Sequence, residues 1–236
     1  MLYRKILLAF CLAIFSPLQA SAECRLALAL GFDVSRSISA KDYAIQRDGM
    51  LAALADPVVQ AAFLKPSEYV TIAVFEWSGH DNQSLVADWM AIRSAGDLAS
   101  LRRLLATHQR TPKLYLTGLG GALVYAHALM QTAPPQCRAR VLDISGDGRN
   151  NDGPSPGGVY SRLDFDGITV NGLAIGEHES GLVRYYETQL IRGQDAFVEV
   201  AKYQRDFPQA IKRKLLRELG ERMIGRDAAP PGAPRG

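Results

Sequence analysis

Asp33, Ser35 and Ser37 stand in a D-x-S-x-S motif, one carboxylate and two hydroxyls on alternate residues. All three are hard oxygen donors, which suit Mg²⁺, Mn²⁺ or Ca²⁺ and suit Zn²⁺ or Cu poorly. The motif is short and gains weight from two distant segments. Thr117 lies in Thr117-Gly118-Leu119-Gly120, and Asp147 in Ser145-Gly146-Asp147-Gly148. Together Asp33, Ser35, Ser37, Thr117 and Asp147 form a candidate oxygen set for one divalent cation, Mg²⁺ first, with Mn²⁺ and Ca²⁺ as alternatives. Other chemistries find less support. His80, His108, His127 and His178 lack ligand spacing. No general base, nucleophile elbow or D-x-D start stands out, so the chain reads as non-catalytic.

Three segments so far apart need a scaffold that brings them to one point. Leu26 to Phe32 is an apolar run that predicts a buried strand ending at the motif. A helix is expected from about Ser39 to Ala55, with Ile45, Leu51 and Leu54 on its apolar side and Asp56-Pro57 ending or interrupting it. Tyr69 to Trp77 is rich in β-branched and aromatic residues, and Gln83 to Met90 returns from it after a turn at Ser78 to Asn82. Trp77 and Trp89 are expected to pack across that hairpin. Helices follow over Asp97 to Thr107 and Gly120 to Met130, with a loop from Thr111-Pro112 between them. Arg138 to Ile144 reads as a strand and Gly146 to Gly158 as a polar loop. Then come a strand (Gly167 to Ile175), a helix (Leu182 to Ile191), a short strand (Ala196 to Ala201) and an amphipathic helix (Pro208 to Arg222).

This alternation predicts a doubly wound α/β fold: a mostly parallel sheet with one antiparallel edge strand and helices on both faces. Such sheets bind ligands beyond the C-terminal ends of their strands. Asp33 and Asp147 both follow strands at that end, and a helix climbing from the hairpin's return strand carries Thr117 there too. Cys24 and Cys137 each precede a strand and fall at the opposite end. In an oxidising compartment that favours a Cys24–Cys137 disulfide, the alternative being two buried free thiols. Asp143, inside a strand, needs partners that the sequence does not name.

Residues 1–22 read as a signal peptide. Arg4 and Lys5 precede an apolar stretch from Ile6 to Phe15, Pro17 breaks it, and Ala20-Ser21-Ala22 fits a cleavage site after Ala22. The stretch is short for a membrane span, and neither Cys11 nor Cys24 sits in a good lipid-attachment context. Cleavage would send the chain to the periplasm or outside the cell, with no stable membrane insertion. It would also remove two of the 27 cations and none of the 24 acids, leaving charge nearly balanced and no argument for nucleic acid. Residues 23–224 suffice for one domain, and residues 225–236 have the composition of a disordered tail.

The combination resembles the von Willebrand factor type A domain, whose metal-ion-dependent adhesion site uses D-x-S-x-S, a loop Thr and a strand-terminal Asp. The segments GDGRNNDG, GITVNGLAIG, YYETQLIRGQDAFVEVA and FPQAIKRKLLREL look closer still to one exported bacterial branch, the domain of unknown function 1194. The resemblance runs from about Cys24 to Gly220. It implies that the counterparts of Ser35, Ser37 and Thr117 ligate directly, while Asp33 and Asp147 act directly or through water. It further implies a protein-binding module in which the cation bridges to an Asp or Glu of a partner protein. Two positions depart from the family. Arg36 stands where Gly is common, and Gly146 where Thr usually precedes the Asp, which removes a hydroxyl beside the cation.

Blander readings remain beside this one. Asp33 could simply cap the following helix, although Ser39 suits that role better. Gly118, Gly120 and Gly121 superficially suggest a dinucleotide loop but do not directly follow a strand. Arg149 to Gly153 is most simply a surface loop, with Asp152 as an outside candidate for a further ligand. The basic Lys212-Arg213-Lys214 run with Arg217 reads as a solvated helix face. The functional alternatives are a magnesium-dependent hydrolase using the same oxygens, or a metal-independent structural or assembly factor.

Overall fold

A computed structural model describes residues 22–110, 115–176 and 179–224, with side chains to residue 220. The expected signal segment, the loop start at Thr111-Pro112, His178 and the tail from residue 225 lie outside the described residues, Ala22 excepted. Six strands form one sheet in the order β3-β2-β1-β4-β5-β6. They are β1 (Glu23–Asp33), β2 (Glu68–Trp77), β3 (Gln83–Ile92), β4 (Arg140–Gly146), β5 (Ile168–Ile175) and β6 (Val198–Ala201). Among these six strands only the β2–β3 pair is antiparallel.

β1 is central because its sequence can be buried on both faces. Leu26, Leu28 and Leu30 point to one layer and Ala29 to the other. The first layer holds α1 (Ala40–Ala55), α2 (Pro57–Phe63), α3 (Ala95–Thr107) and α7 (Phe207–Ile224). It packs Met50, Leu54, Leu101 and Leu105 with Phe207, Ile211 and Leu215 against the sheet. The second holds α4 (Leu119–Gln131), α5 (Pro156–Tyr160) and α6 (Leu182–Tyr185), which continues into a π-helical turn over Tyr186–Leu190. Small residues on this side of β1 let large ones approach: a β-carbon on Gly31 would lie 2.5 Å from Phe75 Cζ.

Several local expectations are corrected. Asp56-Pro57 starts a helix as well as ending one, because the Asp56 carboxylate accepts from Val58 and Val59 N–H while Pro57 occupies the first turn. The buried face of α1 is Gln46, Gly49, Met50, Ala53 and Leu54, and Ile45 and Leu51 sit at its edge. The polar loop after β4 contains α5, capped by Ser155. Trp77 does not face Trp89. It pairs with Gln83, while Trp89 lies at a register irregularity of β3 and donates to Leu129 O and Thr132 Oγ1.

Cys24 and Cys137 form the expected disulfide at the N-terminal edge of the sheet, with Cα atoms 4.4 Å apart. Asp143 finds its partners on α7. Lys214 Nζ lies 3.3 Å from Asp143 Oδ1 and 3.5 Å from Glu218 Oε1, all wholly buried. Asn171 on β5 donates to Glu218 and accepts from Phe197 N–H. Lys214 is therefore part of a buried ionic group rather than the solvated face expected of it.

Candidate metal centre

The C-terminal edge of the sheet collects all five candidate residues. β1 ends at Asp33, and the Ser35 N–H turns back to donate to Asp33 Oδ1 at 2.7 Å. That Asx-type turn aims the next two hydroxyls inward. Ser35 Oγ and Ser37 Oγ lie 3.1 Å apart, and Ser37 Oγ donates to Asp147 Oδ1 at 2.7 Å. Thr117 Oγ1 reaches within 3.5 Å of Ser35 Oγ. Asp33, Ser35, Thr117 and Asp147 are all buried, while Ser37 is exposed. Ser39 caps α1 in a capping box with Asp42, so Asp33 is free of that duty.

Thr117 precedes α4 and is fixed by the loop after β4. Its N–H donates to Asn151 Oδ1 at 2.8 Å, and its carbonyl accepts from the N–H groups of Asn151 and Asp152. Asn150 Oδ1 takes the Gly120 N–H. The glycines serve close approach: a β-carbon on Gly121 would lie 2.2 Å from His80 O, and one on Gly120 1.9 Å from Pro154 O. Asp152 turns away from the cluster to accept from the His80 N–H at 3.0 Å and to pair with its ring. It holds the hairpin turn to the loop, and its carboxylate does not join the oxygen set. Arg110 Nη2 supports the first motif from outside through the carbonyls of Val34 and Ser35.

Two buried carboxylates side by side make a costly arrangement. Burial, and then the neighbouring charge of Asp147, push the Asp33 carboxyl up to about 7 against hydrogen bonds from Ser35. Asp33 Oδ2 is buried and has no hydrogen-bond partner among the described residues. No three His, Cys, Asp or Glu side chains cluster for metal binding among the described residues; beside the two carboxylates the cluster holds three hydroxyls. An all-oxygen set of two carboxylates and three hydroxyls fits a hard divalent cation.

Sequence reasoning missed the inner wall. Trp77 and Tyr186 are wholly buried beside the two carboxylates, and neither the indole N–H nor the phenol has a hydrogen-bond partner among the described residues. Burial and the charges of Asp33 and Asp147 raise the Tyr186 hydroxyl well above its ordinary range. In sequence Trp77 reads as hairpin packing and Tyr186 is one residue of the helix expected over Leu182 to Ile191; only the fold brings them against the site. Arg36 is exposed at the rim.

The fold matches many solved structures. A von Willebrand factor type A protein from Catenulispora acidiphila superposes with a TM-score of 0.59 at 16% identity, over 84% of this chain and 43% of that one. Proximal thread matrix protein 1 from the mussel byssus, with a zinc-occupied MIDAS motif, gives 0.56 at 18% identity, over 83% and 47%. The pilus adhesin SpaC from Lactobacillus rhamnosus GG, in its open conformation, gives 0.58 at 14% identity, over 86% and 30%. The chain thus spans less than half the length of each. No curated protein matches the sequence. The model of the family described as "Protein of unknown function (DUF1194)" matches residues 23–223. With that match over nearly all of the described fold, the chain belongs to the DUF1194 family, and its fold is that of the von Willebrand factor type A domain.

Proposed function

We propose that this chain is an exported, non-catalytic protein-binding module that grips a partner through a divalent cation, Mg²⁺ in the first instance. The observation that carries the reading is the meeting of five oxygen side chains from three distant segments at the C-terminal edge of the sheet. Asp33, Ser35, Ser37, Thr117 and Asp147 would hold the cation, which would supply a Lewis-acidic position for a partner's Asp or Glu. With the three neutral hydroxyls as direct ligands and the carboxylates acting through water, the cation would stay electron-poor, which favours an incoming acid. Ser37, exposed between buried ligands, marks the side open to that partner. Arg36 at the same rim would add attraction for acidic surfaces.

Export is supported by the N-terminal segment and by the disulfide, which persists in oxidising compartments. No helix among the described residues is long and apolar enough to cross a membrane. The likeness to a pilus adhesin agrees with a role in protein contact.

The test is metal-dependent capture. Immobilised protein loaded with Mg²⁺ should retain proteins from an extract of exported proteins. A chelator should release them, and Asp33→Ala should retain none. Retention indifferent to both chelator and Asp33 contradicts the reading.

A further inference from the structure

Gly146 precedes Asp147 and leaves an open space that another residue uses. A β-carbon there would lie 2.6 Å from Tyr186 Oη, 3.1 Å from Asp33 Oδ2 and 3.1 Å from Trp77 Cζ2. Any side chain at this position therefore collides with the phenol. The three neighbours are all fully buried, and Tyr186 Oη and Asp33 Oδ2 are both polar atoms without a hydrogen bond among the described residues. A buried hydroxyl without a partner is costly, and a carboxylate oxygen close by is the acceptor it lacks. Tyr186 begins a π-helical turn, and such turns commonly mark functional positions. Its ring lies against β5 at Gly172 and its hydroxyl against β4 at Gly146.

We propose that Tyr186 is a positioning residue of the metal centre: its hydroxyl holds the outer oxygen of the Asp33 carboxylate when the cation is bound, across the space that Gly146 leaves open. The inference rests on the metal-binding reading and extends it to a residue outside the five-oxygen set. Gly146 and Tyr186 then work as a matched pair, the glycine admitting the ring and the ring returning a hydroxyl to the place where a side chain at 146 would stand. The phenol is neutral, so it offers a donor to Asp33 without adding to the negative charge of the site. By fixing the far oxygen it leaves Oδ1 on the Ser35 N–H and keeps the carboxylate plane in one orientation. Groups in this role typically change metal affinity by ten- to a hundred-fold when lost.

The experiment compares wild type, Tyr186→Phe and Asp33→Ala, all stripped of metal, by Mn²⁺ titration calorimetry and by thermal melting without metal. Tyr186→Phe should weaken Mn²⁺ binding by about ten-fold or more. Its metal-free melting temperature should match or exceed that of the wild type, because the lost hydroxyl had no partner. Mn²⁺ should also perturb the near-ultraviolet tyrosine spectrum of the wild type more than that of Tyr186→Phe. Equal Mn²⁺ affinity in wild type and Tyr186→Phe, with both exceeding Asp33→Ala, overturns this inference and leaves the metal site standing. A Tyr186→Phe protein that melts well below the wild type and loses affinity together with its fold overturns it in favour of plain packing. A wild type that binds Mn²⁺ no better than Asp33→Ala removes the metal reading itself, and this inference with it.

Discussion

At the scale of single residues, Asp33 is held in the fold at a cost in stability. Its carboxyl is held up to about 7, first by burial and then by Asp147. An unfolded Asp releases its proton near pH 4. Between those values the native chain holds more protons than the unfolded chain, so stability falls as pH rises through the window. Asp143, raised to about 7 chiefly by burial, works in the same direction. The metal-free protein is therefore expected to melt at progressively lower temperature from about pH 5 to pH 8. Asp33→Asn, which keeps an oxygen for the Ser35 N–H, should flatten part of that slope and raise the melting temperature at pH 8. A profile that rises over this range contradicts the assignment. Asp33, Ser35, Ser37 and Asp147 could be grouped in sequence by side-chain type and by their place after strands, and Thr117 joined them through the direction of the helix before it. Asn150, Asn151, Arg110 and Tyr186 could not. Their work is done by contacts with backbone groups and by a ring that only the packing of the turn after α6 on the sheet brings to the site.

Elements position these residues through a few long-range fastenings. The loop after β4 and the β2–β3 turn clasp Thr117 between them, with Gly118 N–H donating to Ser78 O at 2.6 Å. On the other face, α7 is docked by apolar packing and by Lys214 placed between Asp143 and Glu218. Lys214→Met leaves two buried carboxyls without their cation and is expected to cost about 3–5 kcal/mol, read from denaturant unfolding. A loss below ~1 kcal/mol, the scale of an exposed pair, would place Lys214 outside any structural role. This group explains Asp143, whose partners could not be found from sequence because they lie on a helix far along the chain. The same distance effect misled the reading of α1. Its pattern of apolar residues is weak, and the contact with α7 selected Gly49 and Met50 in place of Ile45. Strand positions were easier, since burial on both faces imposes unbroken apolar runs.

At the scale of the whole molecule, the sheet separates two tasks. Its N-terminal edge carries the disulfide, joining residues 113 apart in sequence, and its C-terminal edge carries the oxygen cluster. Replacing Cys24 and Cys137 together by Ser should lower stability by about 2–5 kcal/mol while leaving metal affinity of the folded protein unchanged. A large fall in affinity at unchanged helical content would show that the two ends are coupled. The doubly wound architecture was legible from alternation of strands and helices, and the placing of Asp33 and Asp147 at one edge followed from strand direction. Arrival of Thr117 there depended on α3 returning from the antiparallel edge, which the hairpin signal supplied. The central claim is that these oxygens bind a divalent cation, and calorimetry on the metal-stripped protein tests it most directly. Titration with Mg²⁺, Mn²⁺ and Ca²⁺ should show one site per chain for at least one ion, absent in Asp33→Ala. Heats no greater in the wild type than in Asp33→Ala for all three ions would contradict it.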